Sequence, residues 1–500
     1  MSGRFVVGVD LGTTHTALAF APAADGAIES FSIPQLVAKG TVDARPLLPS
    51  FVYFAHESEG AESLPWDASR TFAVGEHARS RAADAPARVI SSAKSWLSHT
   101  GMDRRAGILP LDAPEGVEKI SPVEASFRLL EHVSEAWDYA IAKGDASLAL
   151  AAQDVIVTVP ASFDAGAREL TVEAALAAGL DNVTLLEEPQ AALYAWTFAR
   201  GDAWRKELKA GDVVLVVDVG GGTTDFSAIV VVEKDGNLEL ARVAVGDHIL
   251  LGGDNIDLAL AHLARSKFEE GGAEIDRAQM AALVHVCRAE KERMLTQASL
   301  ASVPIAVAAR GAKLVGGGLR TEITRDEMDR MIEAFFPRIS SSERPQSRPR
   351  AALTEVGLPY AQDAAITKHL AQFLSRQANA AREHGIGTNN AELMHPTAVL
   401  FNGGVMKSDV IRSRVVSTLN AWLAEDGASP ARMLEGADLD LAVARGAAAY
   451  GLVRRGHGIR IRGGTARAYY VGIEGNAPAV PGIAPDVGAL CVAPFGMEEG

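Results

Sequence analysis

Two apolar runs in the 500-residue chain end in an aspartate and then turn through glycine and threonine. In GVDLGTTHT, Asp10 precedes Gly12, Thr13 and Thr14; in VVDVGGGTTDFS, Asp218 precedes Gly220, Gly221, Gly222 and Thr223. A carboxylate at a strand tip, followed by backbone N–H groups and hydroxyls, can hold a hydrated metal ion while the turn cradles a phosphate. Glycine serves where backbone must approach that phosphate closely. One Asp-x-Gly turn is weak, because many hairpins contain it. Two copies, 218 − 10 = 208 residues apart and each closing a hydrophobic strand, say more. If they face one another across a cleft, two aspartates flank one magnesium ion and two loops clamp one polyphosphate, a geometry suited to nucleotide hydrolysis.

The elements that must position these turns are short β-branched runs and amphipathic helices. Strands are predicted over 5–9, 155–159 before Pro160, 213–217, and 397–401 before Asn402. Helical periodicity covers 124–143, 163–180 and 255–270, so the class is α/β. The echo of the first turn in the second reads as a duplicated domain, with lobe I over 1–205, lobe II over 206–455, and a linker with the start of a β-rich segment over 456–500. The segment 340–350, SSSERPQSRPR, has no apolar periodicity and reads as an exposed, solvated loop rather than a docking site.

Composition narrows the function classes. Hydrophobic residues make up 48% and charged residues 22%, values of a packed globular protein. The net charge of −15 repels nucleic-acid backbones and anionic lipid, so neither is expected as a partner. Only Cys287 and Cys491 are present, which argues against a disulfide framework and for a reducing cytoplasm. The N-terminus has no extended apolar core, and no stretch approaches a membrane span, so a soluble, unexported protein is expected.

The ordered set GVDLGTTHT, VIVTVPASFDAGARELTVEAALAAGL, LLEEPQAAL, VVDVGGGTTDFS, ILLGGDNID, FNGG and DLDLAVARGAAA resembles the ATPase domain of the seventy-kilodalton heat-shock chaperone family, over roughly residues 4–453. The resemblance implies two actin-like (ribonuclease H-like) lobes around an ATP cleft. It implies that Asp10 and Asp218 bind magnesium through water, and that Gly12, Thr13, Thr14, His15, Gly220, Gly221, Gly222 and Thr223 hold phosphates. Lys94 matches the lysine that reaches the γ-phosphate, and Glu188 the acid near the attacking water. On residue type alone, Lys94 also reads as a solvated helix lysine and Glu188 as a loop residue. Lys94, Glu188, Asp218 and Thr223 form the implied catalytic set. Gly252 and Gly253 match the lip of the phosphate site, Asp257 an interlobe polar residue, and Gly403 and Gly404 the ribose and α-phosphate contacts. Lys291 matches the ribose lysine and Asp440 an acid near the base. Pro160 and Arg168, the latter expected two turns into its helix, match residues that report nucleotide state; a strand terminator and a surface arginine are their plainer readings.

Departures cluster at the base. Val405 and Lys407 replace a serine and a stacking arginine, and Arg288 stands where an acid is expected, so adenine selectivity is expected to be loose. Glu187 replaces an asparagine, and its charge is expected to raise the pKa of Glu188. The short acidic-hydrophobic linker of the family is missing. The strand pattern running to residue 500 favours a chain that continues into a further domain over a divergent member with a different partner domain. The resulting expectation is a slow, Mg-dependent ATPase of the chaperone class, binding ATP and ADP and serving unfolded polypeptide clients with a co-chaperone and an exchange factor. An actin-like filament protein and a small-molecule kinase of the same superfold are the rivals; no further aspartate suits a kinase acceptor.

Overall fold

The computed structural model describes residues 3–24, 26–99, 101–234, 237–308, 318–346, 358–380, 382, 385, 392–436, 438–458, 460–462, 468–474, 487–494 and 497. Two six-stranded sheets organise the molecule. The first runs in the order Val183–Glu187, Asp154–Val159, Phe5–Leu11, His15–Pro22, Glu29–Phe31, with Leu48–Pro49 also on His15–Pro22. The second runs Arg432–Met433, Ala398–Asn402, Val213–Val219, Thr224–Lys234, Asn237–Val245, Ile461–Arg462.

The duplication read from sequence appears as matched topology. Each sheet centres on an antiparallel hairpin, Phe5–Leu11 with His15–Pro22 and Val213–Val219 with Thr224–Lys234. Each first strand has a parallel neighbour on its other side, Asp154–Val159 or Ala398–Asn402. Every residue of Val213–Val219 is buried, which explains why VVLVVDV is continuously apolar rather than alternating. The aspartate is tolerated there because it sits at the tip, where the ladder opens into the turn.

Among the described residues five apolar clusters result, of which three span the two sheets. One underlies the second sheet and includes Phe226, Leu260, Leu283 and Trp422. Another underlies the first and includes Val9, Leu130, Trp137 and Leu170. The third joins them: Val6 and Ile156 of the first sheet and Val214 and Ile229 of the second pack with residues of the helices Glu188–Arg200 and Ala442–Arg454. The small residues Ala444, Ala447 and Ala448 are fully buried, which lets that last helix lie close on Phe5–Leu11 and His15–Pro22.

Insertions carry the outer walls of the cleft. On the first half these are the small sheet of Val52–Phe54, Phe72–Val74 and Val89–Ile90 with the helix Glu76–Arg81. On the second half they are the helices Gly253–Glu270 and Arg277–Thr296, backed on their far side by the hairpin Ser302–Ala308 with Gly318–Thr324. Asp276 starts Arg277–Thr296 by a reciprocal cap with Gln279, fixing the helix that carries Arg288 and Lys291.

Within 340–346 there is neither helix nor strand, as expected of that loop; 347–350 lie outside the described residues. Of the 456–500 segment, residues 459, 463–467, 475–486, 495–496 and 498–500 also lie outside them. Tyr469–Glu474 and Val487–Ala493 pair antiparallel, the β-rich opening expected there, and expose Tyr470, Ile473 and Leu490.

Candidate active site

The two hairpin turns meet. A Cβ placed on Gly221 would lie 2.1 Å from Thr14 Oγ1, and one on Gly222 would lie 2.9 Å from Thr13 Cγ2 and 2.4 Å from Ser95 Oγ. The turns therefore touch at positions where only glycine fits. They open onto a cavity of about 840 Å³ lined from both halves.

Asp10, Gly12, Thr13, Thr14, His15, Lys94 and Glu188 line it on one side. Asp218, Gly220, Gly221, Thr223, Gly253 and Lys291 line it on the other, with Gly403, Gly404, Lys407 and Asp440. Two expected residues sit elsewhere. Gly222 is wedged between Thr13 and Ser95, and Gly252 lies behind the second turn, its Cβ position 2.6 Å from the carbonyls of Gly220 and Gly221. Pro160 and Arg168 are not among the lining residues.

Lys94 and Glu188, 94 residues apart, form an ion pair. Burial opposes the charge on Lys94, but Glu188 and Asp10 outweigh it and raise the pKa. Ser92, which caps the short helix Ala93–Trp96, adopts φ +55°, an uncommon left-handed conformation for a side-chain-bearing residue. Its hydroxyl donates to Asp254 Oδ2 at 2.7 Å, which ties the lysine-bearing helix to the opposite half.

Asp10 Oδ1 accepts from Thr158 Oγ1 at 3.2 Å, and burial raises the Asp10 pKa to about 7, with Lys94 pulling it back. Asp218 Oδ2 accepts from Asn402 Nδ2 at 2.7 Å; burial first, then Glu188, holds its pKa well above the usual carboxylate range. Two carboxylates that burial and like charge disfavour as anions fit a site completed by a cation. Among the described residues no three His, Cys, Asp or Glu side chains gather into a direct metal cage. A hydrated magnesium ion, which keeps waters and takes one or two carboxylates, suits that set.

Gly403, at φ +87°, turns the chain so tightly that a Cβ would lie 2.3 Å from Val219 O and 2.6 Å from Asp218 Oδ1. Asn402 lies opposite Asp218 in the parallel ladder. It was visible in the sequence as the polar end of a buried strand before two glycines, but its role as the partner of Asp218 was not.

Toward the outside, side chains replace backbone. Lys291 Nζ meets Asp257 Oδ1 at 2.7 Å and donates to Gly253 O at 3.1 Å, so its ammonium is already engaged. Arg288 bonds Asp254 at 2.6 Å and Asp257 at 2.9 Å and lies under the Phe51 ring at 5.7 Å. The cation at the expected acid's position thus has two acids of its own. Lys407 and Asp440 pair with each other. The His15 pKa falls to about 3 through burial, reinforced by Arg79, Lys407 and Arg288, so the ring is neutral at physiological pH. Phe51, Arg79 and His285 also line the cavity; no motif marked them.

Two expectations need correction. Arg168 lies in the first turn of Ala165–Ala177, because Asp164 caps that helix by accepting from Ala167 N at 2.6 Å. It is not a free surface residue: it bonds Ala161 O and Phe163 O, each at 3.1 Å, and Glu187 Oε1 at 2.9 Å. Glu187 does not direct its charge at Glu188, since its carboxylate faces Arg168 and Arg242.

Two matched α/β halves whose turns close on one cavity define a duplicated, actin-like two-lobed fold. Residues 6–346 match the family described as Hsp70 protein. The chain belongs to the Hsp70 family. It is similar to the chaperone protein HscA of Cronobacter sakazakii (strain ATCC BAA-894), 30% identical over 349 residues, 67% of this chain and 47% of that protein. It is also similar to the HscA homolog of Pseudomonas paraeruginosa (strain DSM 24068 / PA7), 31% identical over 352 residues, with 67% and 47% covered. For the HscA homolog of Bordetella pertussis (strain Tohama I / ATCC BAA-589 / NCTC 13251) the figures are 29% over 364 residues, 71% and 50%. The chain spans about half the length of the curated relatives it matches.

Proposed function

We propose that this chain binds ATP with magnesium in the 840 Å³ cavity and hydrolyses it slowly to ADP and phosphate, and that closure of the lobes controls a substrate or partner domain. The observation that carries the reading is the contact of the two aspartate-glycine-threonine turns over one cavity, with the Lys94–Glu188 pair beside them.

The chain's own groups divide the work. Backbone N–H groups of the turns at Gly12–Thr14 and Gly220–Thr223 hold the phosphates. Lys94, Thr13 and Thr223 stabilise charge developing on the γ-phosphate. Glu188, aided by Asp218, orients the attacking water. Asp10 and Asp218 would hold magnesium through its waters, and the ion when bound neutralises phosphate charge. Lys291, Lys407 and Asp440 face the ribose and base, where replacement of a stacking arginine leaves adenine weakly preferred.

The lobe division at 1–205 and 206–455, with a separate segment after it, belongs to this reading. So do polypeptide clients, a co-chaperone, an exchange factor and a cytoplasmic location; the likeness to chaperone proteins supports the first of these. Among the described residues no helix is long and apolar enough to cross a membrane.

Calorimetric titration with ATP and magnesium, followed by single-turnover hydrolysis, tests the proposal. Binding with slow turnover is expected. Neither binding nor turnover by purified protein would sink it.

A further inference from the structure

We infer that Glu187 is a positioning residue: it bridges the two halves and sets the register of Glu188, so that hydrolysis is gated by lobe closure. This rests on the ATPase reading of the cavity and adds a residue and a device to it.

Glu187 ends the strand Val183–Glu187, and Glu188 begins the helix Glu188–Arg200. Their carboxylates go separate ways. Glu188 enters the cavity and pairs with Lys94, while Glu187 faces two arginines. Its Oε1 accepts from Arg168 Nη2 at 2.9 Å. Its Oε2 pairs with Arg242, which sits on Asn237–Val245 of the second sheet, opposite Ile229. One carboxylate therefore ties an arginine of the first half to one of the second.

The bridge is largely dry: the side chains of Arg242 and Glu187 are 1% and 9% exposed. A buried pair like this adds little net stability, because desolvation offsets the attraction, but removing one partner leaves an uncompensated buried charge. Its value lies in fixing one arrangement. The same seam carries Ser162, which bonds Asp225 and, at 2.7 Å, His248 Nδ1. His248 in turn reaches Ser98 at 3.0 Å. Those contacts join two hydroxyls of the first half to the second, whereas Glu187 brings a full charge between two cations. Arg168 also binds the carbonyls of Ala161 and Phe163, so the bridge continues into the turn after Pro160.

Closed lobes thus hold the Glu187–Glu188 corner against the second sheet. Opening them breaks the Arg242 contact and releases the corner that aims Glu188.

The test compares wild type, Glu187→Gln, Arg242→Gln and the double variant. Spin labels at Asp181→Cys and Gln297→Cys, with Cys491→Ser, report the distance between halves by pulsed electron resonance. Expected are an approximately tenfold slower single-turnover rate for Glu187→Gln, an ATP Kd within about threefold of wild type, and a double variant no more than about twofold slower still. The interlobe distance distribution should broaden in each single variant. Additive losses, or a wild-type rate in Glu187→Gln, overturn the inference. If Glu187→Gln does not fold, Arg242→Lys should keep the wild-type rate while Arg242→Gln slows it; equal rates in those two overturn the inference. If wild type hydrolyses no ATP, the ATPase reading fails and the distances alone decide the bridge: broadening upholds it and an unchanged distribution overturns it.

Discussion

At the inner end of the cavity, Lys94 and Asp218 are buried and held by Glu188 and Asn402, and the opposing turns touch through Gly221 and Gly222. At the outer rim, the side chains of Lys407 and Asp440 hold each other, with 40% and 35% of them exposed. The inner end is specified by backbone shape, where a single added methyl collides. The rim is specified by solvated side chains, where exchanges are inexpensive. On the proposed ATPase reading, the difference explains how one chain can keep the parts assigned to phosphate chemistry while the residues assigned to the base differ from the family's.

The strongest way to break that contrast is Lys94→Met. Removing the charge that the proposed function assigns to the γ-phosphate should slow single-turnover hydrolysis by about 100- to 1000-fold, a loss typical of deleting one preorganised stabilising group. A rate within tenfold of wild type would show that the inner end is less exacting than its packing suggests.

Gly221→Ala and Gly404→Ala form a matched pair. The first puts a Cβ against Thr14, and overpacking of that kind costs about 1–3 kcal/mol, here read as weaker ATP binding by calorimetry. The second meets nothing within 4 Å and should shift binding by less than about 0.5 kcal/mol. Equal effects would erase the distinction between the two ends.

Thr223→Ala sharpens the comparison. Its hydroxyl is assigned where charge develops, so hydrolysis should fall about fivefold with binding nearly intact. Equal losses in rate and affinity would place the hydroxyl in ground-state binding instead.

The smallest effect is expected at the rim. Wild type should discriminate ATP from GTP only modestly, and Lys407→Arg should change that preference by less than about 1 kcal/mol, since exposed pairs such as the one with Asp440 contribute little. Competition titration reads both numbers. A large gain in adenine preference would mean that the planar guanidinium was the missing element.

The inner end was legible because its signals are local. Asp10 and Asp218 each close an apolar run, and the turn glycines follow at once, so the motif and the structure occupy the same few residues. Lys94 and Glu188 were named only through family resemblance, because nothing local announces a pair 94 residues apart. Arg79, His285 and Phe51 were invisible for a related reason: they become wall residues only when separate insertions fold over the cleft. Arg168 was misplaced although Asp164 offered a readable helix cap, since the apolar periodicity extends past the cap and obscures it. Glu187 was noticed as a departure, but its meaning depended on Arg242, which lies in another sheet.

The helix Ala442–Arg454 lies on Phe5–Leu11, and 442 − 11 = 431 residue positions separate their facing ends. Translation at about 5–20 residues per second needs roughly 20–90 s to cover that span. During this interval Val6 and Ile156 lack the cover they have in the finished molecule. The first half therefore emerges from the ribosome with an apolar face that its own later sequence must return to cover. Premature termination between residues 224 and 442 would leave that face without its native partner, giving a fragment prone to aggregate although both aspartate-glycine-threonine turns had already been synthesised.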